Sequence, residues 1–222
     1  MPSERLRGLY AVTPGLAGTD ELAAKVEAAL AGGAAMIQYR AKEVRRELAL
    51  EQARRLVRLC RGHGVPLIVN DSVDLALAAQ ADGVHLGRDD GDARAARRAL
   101  PRGIVGVSCY ADPGRARAAA EAGADYVAIG SVFASATKPD AARAPLELLA
   151  RARADSGLAV VAIGGITADN APAAIDAGAD MVAVIAAVFD APDVRAAAAG
   201  IARLFDPPAS ARRDARAQPQ PL

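Results

Sequence analysis

Gln38, Arg40 and Lys42 occupy alternate positions of the run Gln38-Tyr39-Arg40-Ala41-Lys42, directly after the apolar stretch 34–37. Asn70-Asp71 ends a second apolar stretch, 66–69, and His85-Leu86-Gly87-Arg88-Asp89-Asp90 ends a third. On a strand, alternation puts Gln38, Arg40 and Lys42 on one face. Arginine can grip phosphate oxygens bidentately, and lysine adds a mobile point charge. Asp71 and Asp90, just past two neighbouring strands, form the kind of carboxylate pair that Mg²⁺ takes together with phosphate oxygens. Together these residue types could hold a diphosphate and its metal ion. A plainer alternative stands beside this one. Asp71, Asp90 and Asp92 precede helices, where aspartate caps backbone N–H groups, and Arg40 and Lys42 could form a solvated rim.

Other strand ends add to the inventory. Ser108 closes 104–108 and could donate to a phosphate or a ring nitrogen. Gly164-Gly165-Ile166-Thr167 precedes a helix beginning near Asn170, and paired glycines let backbone N–H groups approach an anion. Small residues around Ile185-Ala186 leave backbone donors accessible there as well. The stretch 130–140 is long, carries hydroxyls and a lysine, and reads as a lid or binding loop. His63 sits in a Gly62-His63-Gly64 turn and reads as structural. His85 lies near the strand ends with no nucleophile close in sequence, so acyl transfer by a triad is not expected.

What positions these residues is a repeated unit. Helical runs rich in Ala, Leu and Arg end in small-residue turns, Ala31-Gly32-Gly33, Ala81-Asp82-Gly83, Gly123-Ala124-Asp125 and Gly178-Ala179-Asp180, and a short apolar strand follows each. Glycine past a helix end is the usual left-handed cap. Strands are expected at 6–12, 36–40, 66–70, 83–86, 104–108, 126–129, 160–163 and 181–184. Helices are expected at 21–30, 46–61, 72–79, 92–100, 113–122, 146–154, 170–177 and 192–204. Such alternation implies a parallel sheet wrapped by helices: an α/β chain forming a single (β/α)₈ TIM barrel over 1–205. A doubly wound sheet is the runner-up, but no G-x-G-x-x-G opens a helix. Residues 206–222, rich in proline and arginine, read as a disordered C-terminal tail.

Composition narrows the possibilities. Hydrophobic residues make up 52% and aromatics only 3%, so the core must be built from Ala, Val, Leu and Ile. A formal charge of +1 argues against a broad nucleic-acid surface. Cys60 and Cys109 have no metal-like spacing and read as core thiols of a reducing compartment. Neither a leader in 1–5 nor a long apolar span is expected, so the protein should be cytoplasmic, without membrane or nucleic-acid partners. A homo-oligomer is compatible with the sequence.

Gln38-x-Arg40-x-Lys42, Asn70-Asp71, Asp74, Gly83-Val84-His85-Leu86-Gly87, Asp90, Ser108, Thr137-Lys138 and Gly164-Gly165-Ile166 together resemble the thiamine phosphate synthase family, from about Leu9 to Phe189. The resemblance implies coupling of 4-amino-2-methyl-5-hydroxymethylpyrimidine diphosphate with 4-methyl-5-hydroxyethylthiazole phosphate, releasing diphosphate. It implies that Gln38, Tyr39, Arg40, Ala41, Lys42 and Asn70 hold the pyrimidine diphosphate, with Asp71 and Asp90 on Mg²⁺. It further implies catalytic roles on this substrate for Arg40, Ser108 and Lys138. Ser135, Ala136, Thr137, Gly165, Ile185 and Ala186 would hold the thiazole phosphate. Ser135 departs from the family's usual Thr-x-Thr-Lys, and Ala186 stands where serine is common.

The residue types agree with that reaction. The thiazole nitrogen already has a lone pair, so no general base is needed. Loss of diphosphate from an electron-rich pyrimidine methylene can proceed dissociatively, assisted by preorganised cations. A thiazole tautomerase of the same barrel family would need an acid/base residue and no diphosphate grip. A phosphosugar isomerase would share only the phosphate site at strands 7 and 8. A non-catalytic precursor-binding protein would give no reason to keep a metal pair beside a basic cluster.

Overall fold

The computed structural model describes residues 6–15, 18–42, 44–134 and 142–206. Along them run β1 (Gly8–Val12), α1 (Thr19–Ala31), β2 (Met36–Tyr39), α2 (Arg46–Gly62), β3 (Leu67–Asn70), α3 (Val73–Ala79), β4 (Gly83–Leu86), α4 (Ala93–Ala99) and β5 (Ile104–Tyr110). There follow α5 (Pro113–Glu121), β6 (Tyr126–Ile129), α6 (Glu147–Ser156), β7 (Ala159–Ile163), α7 (Ala171–Asp176), β8 (Met181–Val184), α8 (Ala186–Phe189) and α9 (Val194–Ala202). The strands are parallel and close in chain order, with β8 returning to pair with β1. This is the expected (β/α)₈ barrel. Apart from Asp206, the tail at 206–222 lies outside the described residues.

Period-two alternation divides each strand between two cores. Leu9, Ala11, Ile37, Val127, Val160 and Val182 face outward and pack with the helices. Tyr10, Met36, Ile68, Tyr126, Val161 and Met181 fill the barrel interior. Burial on both faces is why the strands read as unbroken apolar runs. Helix α2 illustrates the outer layer: Ala49, Gln52, Ala53, Leu56, Val57 and Cys60 are buried, a spacing of three and four that lays one face on the sheet.

The repeated turns do more than cap helices. Asp82 Oδ2 accepts from Leu67 N at 2.9 Å, Asp125 Oδ2 from Val105 N at 2.8 Å, and Asp180 Oδ2 from Val160 N at 2.8 Å. Each aspartate, one residue before an even-numbered strand, ties down the start of the odd-numbered strand beside it. Asp125 and Asp180 are also paired with Arg97 and Arg153. In the Ala81-Asp82-Gly83 copy the left-handed residue is Gln80 (φ 57°), not the glycine. Gly83 is instead a β4 residue, where a Cβ would lie 2.1 Å from Ile104 O, so close strand approach excludes a side chain.

Two elements differ from expectation near the strand ends. β5 continues past Ser108 through a register shift to Tyr110, which is left-handed at φ 55°. The four-residue α8 interrupts the link from β8 to the last helix. Four residues carry too little periodicity for a helix to be recognised from sequence.

Candidate functional site

A cavity of about 580 Å³ opens at the C-terminal ends of the strands, lined by Gln38, Arg40, Lys42, Asn70, Asp71, Asp90, Ser108, Gly165, Ile185 and Ala186. Residues from six strand ends and their loops thus meet at one mouth. Tyr39 and Ala41 do not bring their side chains to it. Tyr39 points into the helix layer, where its hydroxyl donates to Gln52 Oε1 at 2.6 Å, and Ala41 packs with the outer core. The alternation that sends Gln38 and Arg40 inward sends these two outward. Asp74 is exposed on α3 and does not line the cavity. Ser135, Ala136, Thr137 and Lys138 lie outside the described residues.

The aspartates of the mouth are not helix caps. Ser72 caps α3, accepting from Leu75 N, and Asp92 caps α4, accepting from Arg94 N and Ala95 N. Asp71 is left-handed (φ 67°), and its N–H donates to His85 O across to β4. Asp90 Oδ2 accepts from Gly87 N at 2.8 Å, which folds the β4 loop back on itself. Burial and the neighbouring Asp90 carboxyl push the Asp71 carboxyl up to about 6, against the pull of Lys42 and Arg40. Two carboxyls close enough to resist joint ionisation are a place where a cation would relieve repulsion. Among the described residues neither Arg40 nor Lys42 has a salt-bridge partner.

Buried Thr13 sets the direction of this rim. Its N–H donates to Gln38 O at 2.9 Å, and its Oγ1 accepts from Arg40 N at 3.0 Å, so the end of β1 fixes the end of β2. On the far side, Tyr110 Oη accepts from Arg88 N, and the Arg88 and Arg115 guanidinium groups lie 5.0 and 5.7 Å from its ring. Beneath the mouth, His85 is buried and touches Tyr126 and Ser108 through its two ring nitrogens. Burial pulls its pKa down to about 4. A hydroxyl does therefore lie beside His85, but the histidine's second partner is a phenol, not a carboxylate, so no triad forms. Cys109 is buried and its thiol is pushed up to about 12, which makes it inert core.

The β7 and β8 ends supply backbone in place of charge. Asn170 holds the β7 turn, accepting from Thr167 N and donating to Gly165 O. The first amides of α8, at Ala186 and Ala187, have no partner within that helix. Gly165 has φ +64°, and a Cβ there would lie 2.0 Å from Ala134 O. Its lack of a side chain therefore accommodates the β6 loop as well as any anion. Phe133 N donates to Gly164 O at 2.9 Å, which clasps the same loop over the turn.

Tyr10, Thr13, Tyr110 and Tyr126 were not singled out by sequence. The one available signal was their type, tyrosine being a rare residue here and Thr13 a polar group at a strand's end.

Comparison with known proteins agrees with this geometry. Residues 9–188 match a family model described as thiamine monophosphate synthase. The thiamine-phosphate synthase of Aromatoleum aromaticum is 58% identical over 207 residues, covering 93% of this chain and 100% of that protein. That of Thiobacillus denitrificans is 59% identical over 199 residues, covering 89% and 94%. Among solved structures, thiamine phosphate pyrophosphorylase from Pyrococcus furiosus superposes with a TM-score of 0.82 at 36% identity, over 90% of this chain and 96% of that one.

Proposed function

The chain belongs to the thiamine monophosphate synthase family, and on that premise we propose that it joins the aminopyrimidine methyl diphosphate to the thiazole phosphate, giving thiamine phosphate and diphosphate. The observation that carries this is the mouth itself. Among the described residues, Asp71 and Asp90 form no salt bridge, and they share one rim with Arg40 and Lys42, which form none either.

The carboxyl pair fits Mg²⁺. Asp71 and Asp90 are oxygen donors held close together, and among the described residues no third His, Cys, Asp or Glu joins a cluster with them. Substrate phosphate oxygens and water would complete such a shell. When bound, the ion would neutralise charge on the diphosphate. Arg40 and Lys42 would draw the same group to the rim and hold it in line for departure. Gln38, Asn70 and Ser108 would orient the pyrimidine. Lys138 is proposed to meet the leaving diphosphate. The departing group takes the bonding electron pair, and the positive charge left on the methylene is shared with the aminopyrimidine ring. The thiazole nitrogen then attacks that carbon with its own lone pair, and no proton needs to be removed first. Backbone donors at Gly165, Ile185 and Ala186, with Ser135, Ala136 and Thr137, would seat the thiazole phosphate.

No helix among the described residues is long and apolar enough to cross a membrane. We place the reaction in the cytoplasm, consistent with two free buried thiols.

Diphosphate release by the purified protein tests this reading. Rapid release is expected with both substrates and Mg²⁺, together with stoichiometric thiamine phosphate, and chelation with EDTA should abolish it. Diphosphate formed without thiamine phosphate, or turnover unaffected by EDTA, would overturn the corresponding part.

A further inference from the structure

Five side chains from five strands form one hydrogen-bonded chain through the barrel interior. Gln38 Nε2 donates to Tyr10 Oη at 2.7 Å, and Tyr10 Oη lies 2.8 Å from Tyr126 Oη. Tyr126 Oη lies 3.0 Å from His85 Nδ1, and His85 Nε2 lies 2.9 Å from Ser108 Oγ. Its two ends, Gln38 and Ser108, are residues of the pyrimidine site proposed above.

Counting protons gives the chain a direction. An amide nitrogen offers only hydrogens, so Tyr10 Oη accepts from Gln38. Among the described residues the proton of Tyr10 then has one acceptor, Tyr126 Oη, and the proton of Tyr126 has one, His85 Nδ1. An accepting Nδ1 makes His85 a neutral imidazole with its hydrogen on Nε2, and that hydrogen goes to Ser108 Oγ. The hydroxyl proton of Ser108 is left for the cavity. At the other end, the Gln38 amide oxygen has no partner among the described residues. Reversing any one link would strand a hydroxyl proton in a fully buried setting, where an unmade hydrogen bond is costly. Packing holds the chain in place. Tyr10 and Tyr126 meet edge to face, with ring centroids 5.9 Å apart, and His85 stacks on Tyr126. A Cβ at Gly106 would lie 2.0 Å from Tyr126 Cζ, so only glycine there admits the phenol.

We propose that Tyr10, Tyr126 and His85 are positioning residues that act through this chain to present Ser108 as a hydrogen-bond donor, and Gln38 as an acceptor, to the pyrimidine substrate. An aminopyrimidine is the matching ligand, because its ring nitrogens only accept and its amino group donates. The assignment rests on the mouth being the pyrimidine diphosphate site, but the polarity of the chain can be read without substrate.

The chain has two histidines, and His63 is exposed, so ¹⁵N-histidine labelling of the full-length protein reports the His85 tautomer directly. The expected result is an Nε2–H imidazole in the wild type and a tautomer mixture in Tyr126→Phe. In kinetics, Tyr126→Phe should raise the pyrimidine diphosphate KM about three- to tenfold, the range of one hydrogen bond, and leave the thiazole phosphate KM unchanged. Adding Ser108→Ala to Tyr126→Phe should cost much less than Ser108→Ala costs in the wild type. An Nδ1–H tautomer in the wild type would overturn the proposal, because it reverses the chain and turns Ser108 toward His85. Additive losses, or equal losses for both substrates, would reduce the chain to packing. Should Tyr126→Phe not fold, the wild-type tautomer and the same kinetic comparison in Tyr10→Phe decide. A wild-type protein that releases no diphosphate would sink the functional reading, while the tautomer would still report the chain.

Discussion

The two ends of the barrel use aspartate in opposite ways. At the N-terminal end Asp82, Asp125 and Asp180 each accept a backbone N–H from the adjacent strand, and the last two also pair with arginine. At the C-terminal end Asp71 and Asp90 face one another, with Arg40 and Lys42, which form no salt bridge among the described residues, near enough to pull on Asp71. An acid with its hydrogen bonds satisfied within the protein supports the fold. An acid held against a like charge costs stability until something from outside arrives. The same residue type, next to the ends of strands in both places, ties strands together at one end and is set against a like charge at the other.

The sharpest way to break the comparison is to neutralise one acid at each end. Asp71→Asn should lower turnover by roughly 10²-fold or more, the scale of losing a preorganised electrostatic group, and should blunt the response to Mg²⁺. Asp125→Asn should leave turnover unchanged when assayed well below its unfolding temperature. Steady-state rates across a magnesium titration decide both. Normal magnesium dependence in Asp71→Asn would remove that residue from the metal site.

Arg40→Ala comes next. Losing a bidentate phosphate contact should raise the KM for the pyrimidine diphosphate about tenfold or more, with little change for the thiazole phosphate. Unaltered saturation would make the basic rim merely solvated.

Stability should then move in opposite directions at the two ends. Asp125→Asn exchanges a charged acceptor of Val105 N and Arg97 for a weaker one and should lose about 1–3 kcal/mol in urea unfolding. Equal stability to wild type would mean that the N-terminal acids are incidental.

The smallest effect concerns pH. The folded-state pKa of Asp71 is raised from 3.8 to about 6, so the folded protein holds this proton more tightly than the unfolded chain does. Below about pH 4 the group is protonated in both states and contributes nothing. As pH rises through about 6 the folded state takes on the full repulsion and stability falls. Metal-free Asp71→Asn should therefore exceed wild type by about 1 kcal/mol at pH 7, after discounting for partial exposure, and match it near pH 4. Taking the difference between the two proteins cancels the opposing trend from His85. A variant less stable than wild type at pH 7 would show that Asp71 supports the fold after all.

Much of this was legible in the chain. Eight apolar runs separated by amphipathic segments dictate a parallel sheet with helices outside, because buried strands and a half-buried helix leave different periods. The same alternation already separated Gln38 and Arg40 from Tyr39 and Ala41, although the short run invited all five to be taken together. Strand ends determined which polar residues could meet, since in this architecture they converge at one mouth.

Tertiary structure decided the rest. Whether Asp71 and Asp90 cap helices depended on Ser72 and Asp92 already occupying those positions, a choice among neighbours that spacing alone leaves open. Gly165 was legible as a close approach, but the group approaching is the Ala134 backbone from a different loop. Least legible of all was the buried chain. Tyr10 and Tyr126 are 116 residues apart and sit on strands that are not neighbours, so only closure of the barrel brings their hydroxyls together. The physical reason is one of range. Periodicity and turn chemistry act over a few residues and fix which way each side chain points. The partner it meets across the barrel depends on shear and closure, which no local stretch of sequence encodes.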